Sequence, residues 1–246
     1  LDAENEQQVR EQLVAMCARR GIFVIEDCSE AHGAMIGSRR VGSFGDISIA
    51  SLRGEKILGA GQFGIVVADD ERIAQEAHSW AHNGLPVDAV RFWSNRPGLN
   101  FQPANLYAAL ACAQLERIDE LISARNRVHR RWRRLLAKWT GAGLEFQVPF
   151  GTPSWWLTSI LLVWPDFTAM LPQDIITALA ARGIGARPGF YGLSRLPHCV
   201  EGRIGATPIS DMLLRQLLIV PSGPTITEEQ QEYVVQELME IVGRGR

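Results

Sequence analysis

Lysine is almost missing from this chain: of 25 basic residues only Lys56 and Lys138 are lysines, and the rest are arginines. The bias fits a GC-rich genome as readily as it fits binding, and it singles out each lysine that remains. With 27 acidic residues the formal net charge is -2, so there is no electrostatic footprint for nucleic acid or for an anionic membrane surface. No apolar run reaches the roughly 18 residues that a bilayer-spanning helix needs, and no signal peptide is visible. Cys17, Cys28, Cys112 and Cys199 show no C-x-x-C or metal-ligand spacing. They read as reduced thiols in a cytoplasmic protein rather than as a disulfide framework or a metal site. No G-x-G-x-x-G follows an expected strand, which removes a Rossmann nucleotide-binding module. An initiator methionine is also missing, and the chain opens inside a helical pattern. The expectation is the C-terminal part of a longer polypeptide.

What is present is ample apolar material, 46% of 246 residues, enough for one large domain or two modest ones. The first hundred residues alternate in α/β fashion. Val9, Leu13 and Met16 place a helix over 5–20, and strands follow near 21–26, 46–51 and 63–68, then a helix from about Asp70 to Ala81. Residues 82–102 read as loop, and Pro103 fits the first turn of one long helix reaching about Trp139. Leu106, Leu110, Ala113, Ile118, Leu121 and Ile122 would form its buried face. Its basic run, Arg125 to Arg134, reads as a solvated face with some partner contact. After Gly141 a smaller α+β unit is expected. It has strands at 155–163 and 184–187 and helices at 171–182 and 208–218. A last helix is opened by a Thr227/Gln230 capping box.

Lys56 has a setting that suggests chemistry. It follows the apolar strand Ile47–Ser51 and precedes the glycine-rich stretch Gly59–Gly64, and an upstream strand ends in Glu26-Asp27. A loop lysine beside a strand-end carboxylate is what a pyridoxal phosphate (PLP) enzyme needs. The amine forms a Schiff base, and the carboxylate keeps the pyridine nitrogen protonated so that the ring acts as an electron sink. A free lysine, with a pKa of about 10.4, must be desolvated or placed near positive charge to react at neutral pH. Taken singly, each residue has a plainer explanation. Asp27 could cap a turn, Lys56 could be solvated, Ser51 is uninformative, and Asn100 beside a glycine is first a turn residue. His32 reads as a hydrogen-bonded buried histidine.

The motifs together resemble one family. Val24 to Ala34 resembles the "vIEDaAqAhGA" signature of the DegT/DnrJ/StrS sugar aminotransferases, and Gly42 to Ile47 its "GsfGDi" stretch. Ser51 to Lys56, followed by Gly61, keeps the spacing of "SFxxxKxxxxGEGG". Gly98-Leu99-Asn100-Phe101 with Gln114 to Asp119, and Leu218 to Pro224 with Thr227 to Gln230, resemble two later segments. The matches are in order, correctly spaced and spread along the whole chain.

The resemblance implies an α/β fold, fold type I of the PLP-dependent transferases. Residues 1–117 would be a partial PLP-binding large domain with a mixed sheet, and 118–246 a smaller α+β C-terminal domain. It implies amino transfer, from L-glutamate, to a nucleotide-linked keto-deoxysugar, with a lean toward perosamine-type enzymes. Lys56 would carry the Schiff base and afterwards move protons, and Asp27 would pair with the pyridinium nitrogen. Ser51 would meet the PLP phosphate. Glu30 stands where the family usually has a glutamine near the ring hydroxyl. Asn100 would reach the phosphate of a neighbouring subunit, which implies a homodimer with shared active sites. A lysine at position 56 also separates the chain from the family's sugar dehydratases, which have histidine there. His82 sits at a common "HG" position with no assigned role.

Departures stand beside these matches. "GEGG" becomes Gly61-Gln62-Phe63-Gly64, the usual arginine and methionine become Gln102 and Pro103, and Trp155-Trp156 precedes a strand. The part that supplies a phosphate-binding helix N-terminus and a stacking ring in the family has no counterpart here. These 246 residues alone are therefore expected to bind PLP weakly or not at all. A non-catalytic remnant that keeps dimer or regulatory surfaces is the alternative.

Overall fold

A computed structural model describes residues 3–88, 90–137, 142–144, 151–162, 170–202 and 205–244. The chain divides into two compact units, Leu1–Ser123 with Val148–Trp156, and Ala124–Gln147 with Leu157–Arg246.

In the first unit, helix α1 (Ala3–Ala18) leads to strand β1 (Ile25–Asp27). A two-residue hairpin follows, β2 (Met35–Ile36) with β3 (Arg39–Arg40). Strand β1 pairs in parallel with β4 (Ile47–Ser51), which pairs antiparallel with β5 (Gly64–Ala68), giving a mixed three-stranded sheet. The parallel pairing sets Asp27 opposite Ile49, so the C-terminal ends of β1 and β4 lie on the same edge. In open α/β sheets that edge is where ligands bind. β1 is shorter than the pattern over 21–26 suggests because the side chain of Asp46 takes over the pairing. Asp46 Oδ2 accepts the Val24 N–H at 2.8 Å, and the Val24 carbonyl accepts the Asp46 N–H at 2.9 Å.

The β4–β5 connection, residues 52–63, is tied down along its length. The Leu52 N–H donates to the Phe63 carbonyl at 2.7 Å, Gly54 N–H to Gly61 O at 2.9 Å, and Ala60 N–H to Leu52 O at 2.7 Å. Leu52, Leu58 and Ala60 are buried in a small cluster with Phe63, Ile65 and Ala111 packed on it. This ladder and cluster hold the loop that carries Lys56.

Helix α2 (Glu71–Ala81) starts at Asp70, whose carboxylate accepts the Arg72 N–H at 2.8 Å. The single long helix expected over 103–139 is two helices, α3 (Asn105–Leu115) and α4 (Ile118–Leu136). No glycine or proline marks the break. A tightened turn makes it, in which the Arg117 N–H donates to Gln114 O at 3.1 Å. Helix α3 is apolar on all sides, yet none of its residues is buried, so the buried face expected at Leu106 and Leu110 is absent. A helix of that composition is normally enclosed; here it meets the Leu52 cluster through Ala111, while Leu106, Leu110 and Leu115 stay exposed.

Between α2 and α3 the chain crosses itself at Gly84 and Gly98. A Cβ on Gly98 would overlap the Gly84 backbone nitrogen and the Asn83 carbonyl carbon, while Gly84 needs φ of 74°. Gly98→Ala should therefore destabilise this segment by about 3 kcal/mol, visible as a lowered melting temperature. An unchanged melting temperature would show that the crossing is not close.

In the second unit the sheet is antiparallel, in the order β6 (Ala142–Leu144), β7 (Thr158–Leu162), β9 (Leu217–Val220), β8 (Arg187–Pro188). Helices α5 (Pro172–Ala180), α6 (Pro208–Gln216) and α7 (Glu228–Arg244) accompany it. Residues 217–218 belong to β9 rather than to the preceding helix, because pairing of Leu217–Val220 with β7 buries Leu218 and Val220 in the core. The capping box is present: the Thr227 N–H donates to Gln230 Oε1 at 2.9 Å, and the Gln230 N–H to Thr227 Oγ1 at 3.2 Å.

The basic stretch of α4 is not simply a solvated face. Arg125, His129 and Trp132 share one stripe (i, i+4, i+7) and are buried. Arg125 Nη1 donates to Ser222 O at 2.8 Å, and Trp132 Nε1 to Pro221 O at 3.0 Å. His129 Nδ1 lies 3.2 Å from Thr158 Oγ1. The stripe clamps the turn after β9. Burial pulls the Arg125 guanidinium below its ordinary pKa.

Candidate active site

Alternation along β1 sends neighbouring acids to opposite faces. Glu26 is half-buried, and its carboxylate accepts three backbone N–H groups, from Gly42 at 2.9 Å, Phe44 at 2.6 Å and Gly45 at 2.7 Å. It shapes the 42–45 loop. Asp27 is exposed, and its Oδ1 accepts the Ser29 N–H at 3.0 Å. That hydrogen bonding to Ser29, helped less by the Lys56 charge, holds the Asp27 carboxyl below its ordinary value of 3.8. Asp27 is therefore ionised throughout the neutral range. Ser29 Oγ in turn accepts the Ser51 N–H at 3.2 Å, which joins the ends of β1 and β4.

Lys56 is only 8% exposed. Its N–H donates to Arg53 O at 2.8 Å, closing a turn, and its ammonium rests between two partners. Nζ is 3.1 Å from Glu30 Oε1 and 3.5 Å from the centroid of the Trp156 ring. A desolvated cation over a tryptophan face is worth about 2 kcal/mol, whereas the Glu30 carboxylate is half exposed and its ion pair contributes less. Trp156 is itself buried, and its Nε1–H donates to Glu55 O at 2.7 Å.

His32 sits beneath this loop, 6% exposed, with Nδ1 accepting the Leu58 N–H at 3.2 Å. The proton of the neutral ring is then on Nε2, which faces the Ser51 backbone without a hydrogen bond of good geometry. Desolvation first, and the nearby Lys56 charge second, pull its pKa below the ordinary 6.5. A depressed histidine takes up fewer protons folded than unfolded, so stability is full above pH 6.5 and declines as pH falls toward the lowered value. Thermal melts between pH 8 and pH 5 should show this loss, and His32→Asn should reduce it. Equal pH dependence in the two proteins would contradict the assignment. Cys28, pushed up by burial and by Glu26 and Asp27, remains a thiol.

Asp27, Glu30, Ser51 and Lys56 thus gather at one edge of the sheet. Asn100 is exposed and bridges to His82 at the end of α2. No hydrogen bond or ion pair among the described residues joins it to the other four. A cavity of about 770 Å³ in this unit reaches the cluster only through Ser29 and Ser51. The rest of its wall is mostly apolar and includes Ile65, Val66, Ala77 and Phe101, which reads as a gap between the sheet and α2 rather than as a catalytic pocket. Trp156, Glu26 and Ser29 carry no site role in the sequence reading. The Trp155-Trp156 pair was conspicuous there, but its contact 100 positions away was not. No group of three metal-ligating side chains is found among the described residues.

The donor set is a buried primary amine, an ionised carboxylate and two serine hydroxyls at strand ends. It fits a pyridoxal phosphate group.

Comparison with known proteins agrees with this chemistry. The sequence profile of the DegT/DnrJ/EryC1/StrS aminotransferase family matches residues 9–239. A GDP-perosamine synthase of Vibrio cholerae is 34% identical over 223 residues, covering 87% of this chain and 58% of its own length. Another, from Escherichia coli O157:H7, is 31% identical over 230 residues, covering 94% and 61%. The chain therefore spans about three-fifths of these relatives. The solved structure of Helicobacter pylori PseC, an aminotransferase involved in the biosynthesis of pseudoaminic acid, superposes with a TM-score of 0.85 at 18% identity, over 96% of this chain and 63% of that one. The fold is that of fold type I PLP-dependent transferases. With the family profile covering nearly the whole sequence, the chain belongs to the DegT/DnrJ/EryC1/StrS aminotransferase family.

Proposed function

We propose that the protein is a PLP-dependent aminotransferase that moves an amino group from L-glutamate to a keto group of a nucleotide-linked deoxysugar. The observation that carries this reading is the buried Lys56 amine beside a strand-end carboxylate held ionised. Bound PLP supplies the electron sink for the substrate's amino-bearing carbon. The chain's own residues do the rest. Asp27, negative at neutral pH, favours a protonated pyridine nitrogen. Ser51 offers its hydroxyl to the phosphate, and Glu30 stands near the ring hydroxyl. Lys56 Nζ would be the attachment point for the cofactor aldehyde, and as a free amine would hold and return the proton. In this reading residues 1–117 belong to the large PLP-binding domain and 118–246 to the small one, except that 118–123 and 148–156 group with the first unit.

Asn100 is assigned to the phosphate of a neighbouring subunit, in a homodimer with shared sites. Its exposure and its lack of ties to the other four residues support that placement, as do the exposed apolar side chains Leu106, Leu110 and Leu115 of helix α3. The nucleotide-sugar substrate rests on the two perosamine synthases. A cytoplasmic location is in keeping with the thiols and with the absence, among the described residues, of a helix long and apolar enough to cross a membrane.

The test is an assay of the full-length protein with L-glutamate and a panel of nucleotide-linked keto-sugars. The expected result is 2-oxoglutarate in excess of the enzyme only when both substrates are present. No 2-oxoglutarate with any sugar would overturn the reading.

A further inference from the structure

We propose that Trp156 is a positioning residue that holds Lys56 at both of its ends. The inference rests on the reading above that Lys56 is the cofactor lysine. One indole makes two contacts that differ in kind. Its Nε1–H donates to the carbonyl of Glu55 at 2.7 Å, fixing the backbone just ahead of the lysine. Its ring face lies 3.5 Å from Nζ, fixing the tip. Between these points lies a four-carbon stem whose freedom would otherwise spread the amine over many positions. The indole is 7% exposed, so neither contact is diluted by water.

The backbone is bent to deliver it. Trp155, the residue before, has φ of 50°, a left-handed conformation that is uncommon for a bulky side chain. Such strain persists where surrounding contacts enforce it and clusters at functional sites. The hold is also selective for charge. The quadrupole of the ring attracts an ammonium and has little attraction for a neutral amine. Trp156 therefore holds the lysine in the cofactor-free protein and has little hold on the neutral amine that reacts with an aldehyde.

The two lysines of the sequence make the test internal. The cofactor-free full-length protein is labelled with limiting acetic anhydride, and acetylation of Lys56 and Lys138 is counted by peptide mass spectrometry. Trp156→Leu removes both contacts and should raise the Lys56-to-Lys138 labelling ratio about tenfold, with PLP binding weakened about as much. Trp156→Phe keeps a ring face but loses the N–H, and should raise the ratio by roughly threefold. Circular dichroism and thermal melts run alongside. If the leucine variant is unfolded, the phenylalanine variant decides alone. A ratio in the folded variants within about twofold of the parent would overturn the proposal, because loss of the cation–π contact in the leucine variant, or of the N–H anchor in the phenylalanine variant, is worth more than that. PLP trapping on Lys56 in the parent protein is scored separately. If it fails, the functional reading fails; if it succeeds while the ratio stays flat, only the role of Trp156 falls.

Discussion

Lys56→Ala in the full-length protein lowers amino transfer by at least about a thousandfold, the scale seen when the reacting side chain of an enzyme is removed. Among the described residues, none in contact with Nζ can substitute for it. Lys138 is the only other lysine of this sequence, and the groups closest to Nζ are a carboxylate and an indole, neither of which can form an imine. The fold should survive. The residue lies in a loop whose backbone ladder and apolar cluster do not involve its side chain, and the Glu30 it leaves behind is half exposed. Turnover with L-glutamate, measured next to a thermal melt, checks both halves. Activity above about a tenth of the parent would contradict the role given to Lys56.

The second large effect is on stability, at the residue adjacent to Asp27. Glu26→Ala removes the acceptor of three backbone N–H groups, at 2.9, 2.6 and 2.7 Å, and among the described residues no other acceptor is bonded to them. Leaving donors unsatisfied costs about 1–3 kcal/mol each. Since water can reach part of this half-buried site, a total of about 3–5 kcal/mol is expected. Asp27→Asn gives the opposite profile. The side chain is exposed, so stability changes little, while loss of the charge proposed to pair with the ring nitrogen should slow amino transfer about a hundredfold or more. Urea unfolding and turnover on the two variants separate the roles. If Glu26→Ala melts like the parent, the loop at 42–45 is held by something else.

That contrast also marks what could be read from sequence. The strands β4 and β5, helix α2 and the Thr227/Gln230 cap came from local pattern, since period, cap residues and turn glycines act within a few positions. The order of the motifs pointed to Lys56, Asp27 and Ser51. Which acid of Glu26-Asp27 faces the site was not legible from pattern alone, because it depends on a loop sixteen to nineteen residues away. The break at 116–117 carries no glycine or proline, so periodicity ran through it. Arg125 and His129 read as solvent-facing because charge alone says nothing about the carbonyls and hydroxyl that meet them at Ser222 and Thr158. Glu30 is an ion-pair partner of Lys56, and Trp156 is the surface under its amine. Both contacts arise only once distant segments are folded together.

The most direct measurement is borohydride reduction of the full-length protein loaded with PLP, followed by peptide mass spectrometry. The account predicts a pyridoxyl adduct on the peptide that carries Lys56, and none in Lys56→Ala. An adduct that survives that substitution, or one found only at another lysine, would contradict it.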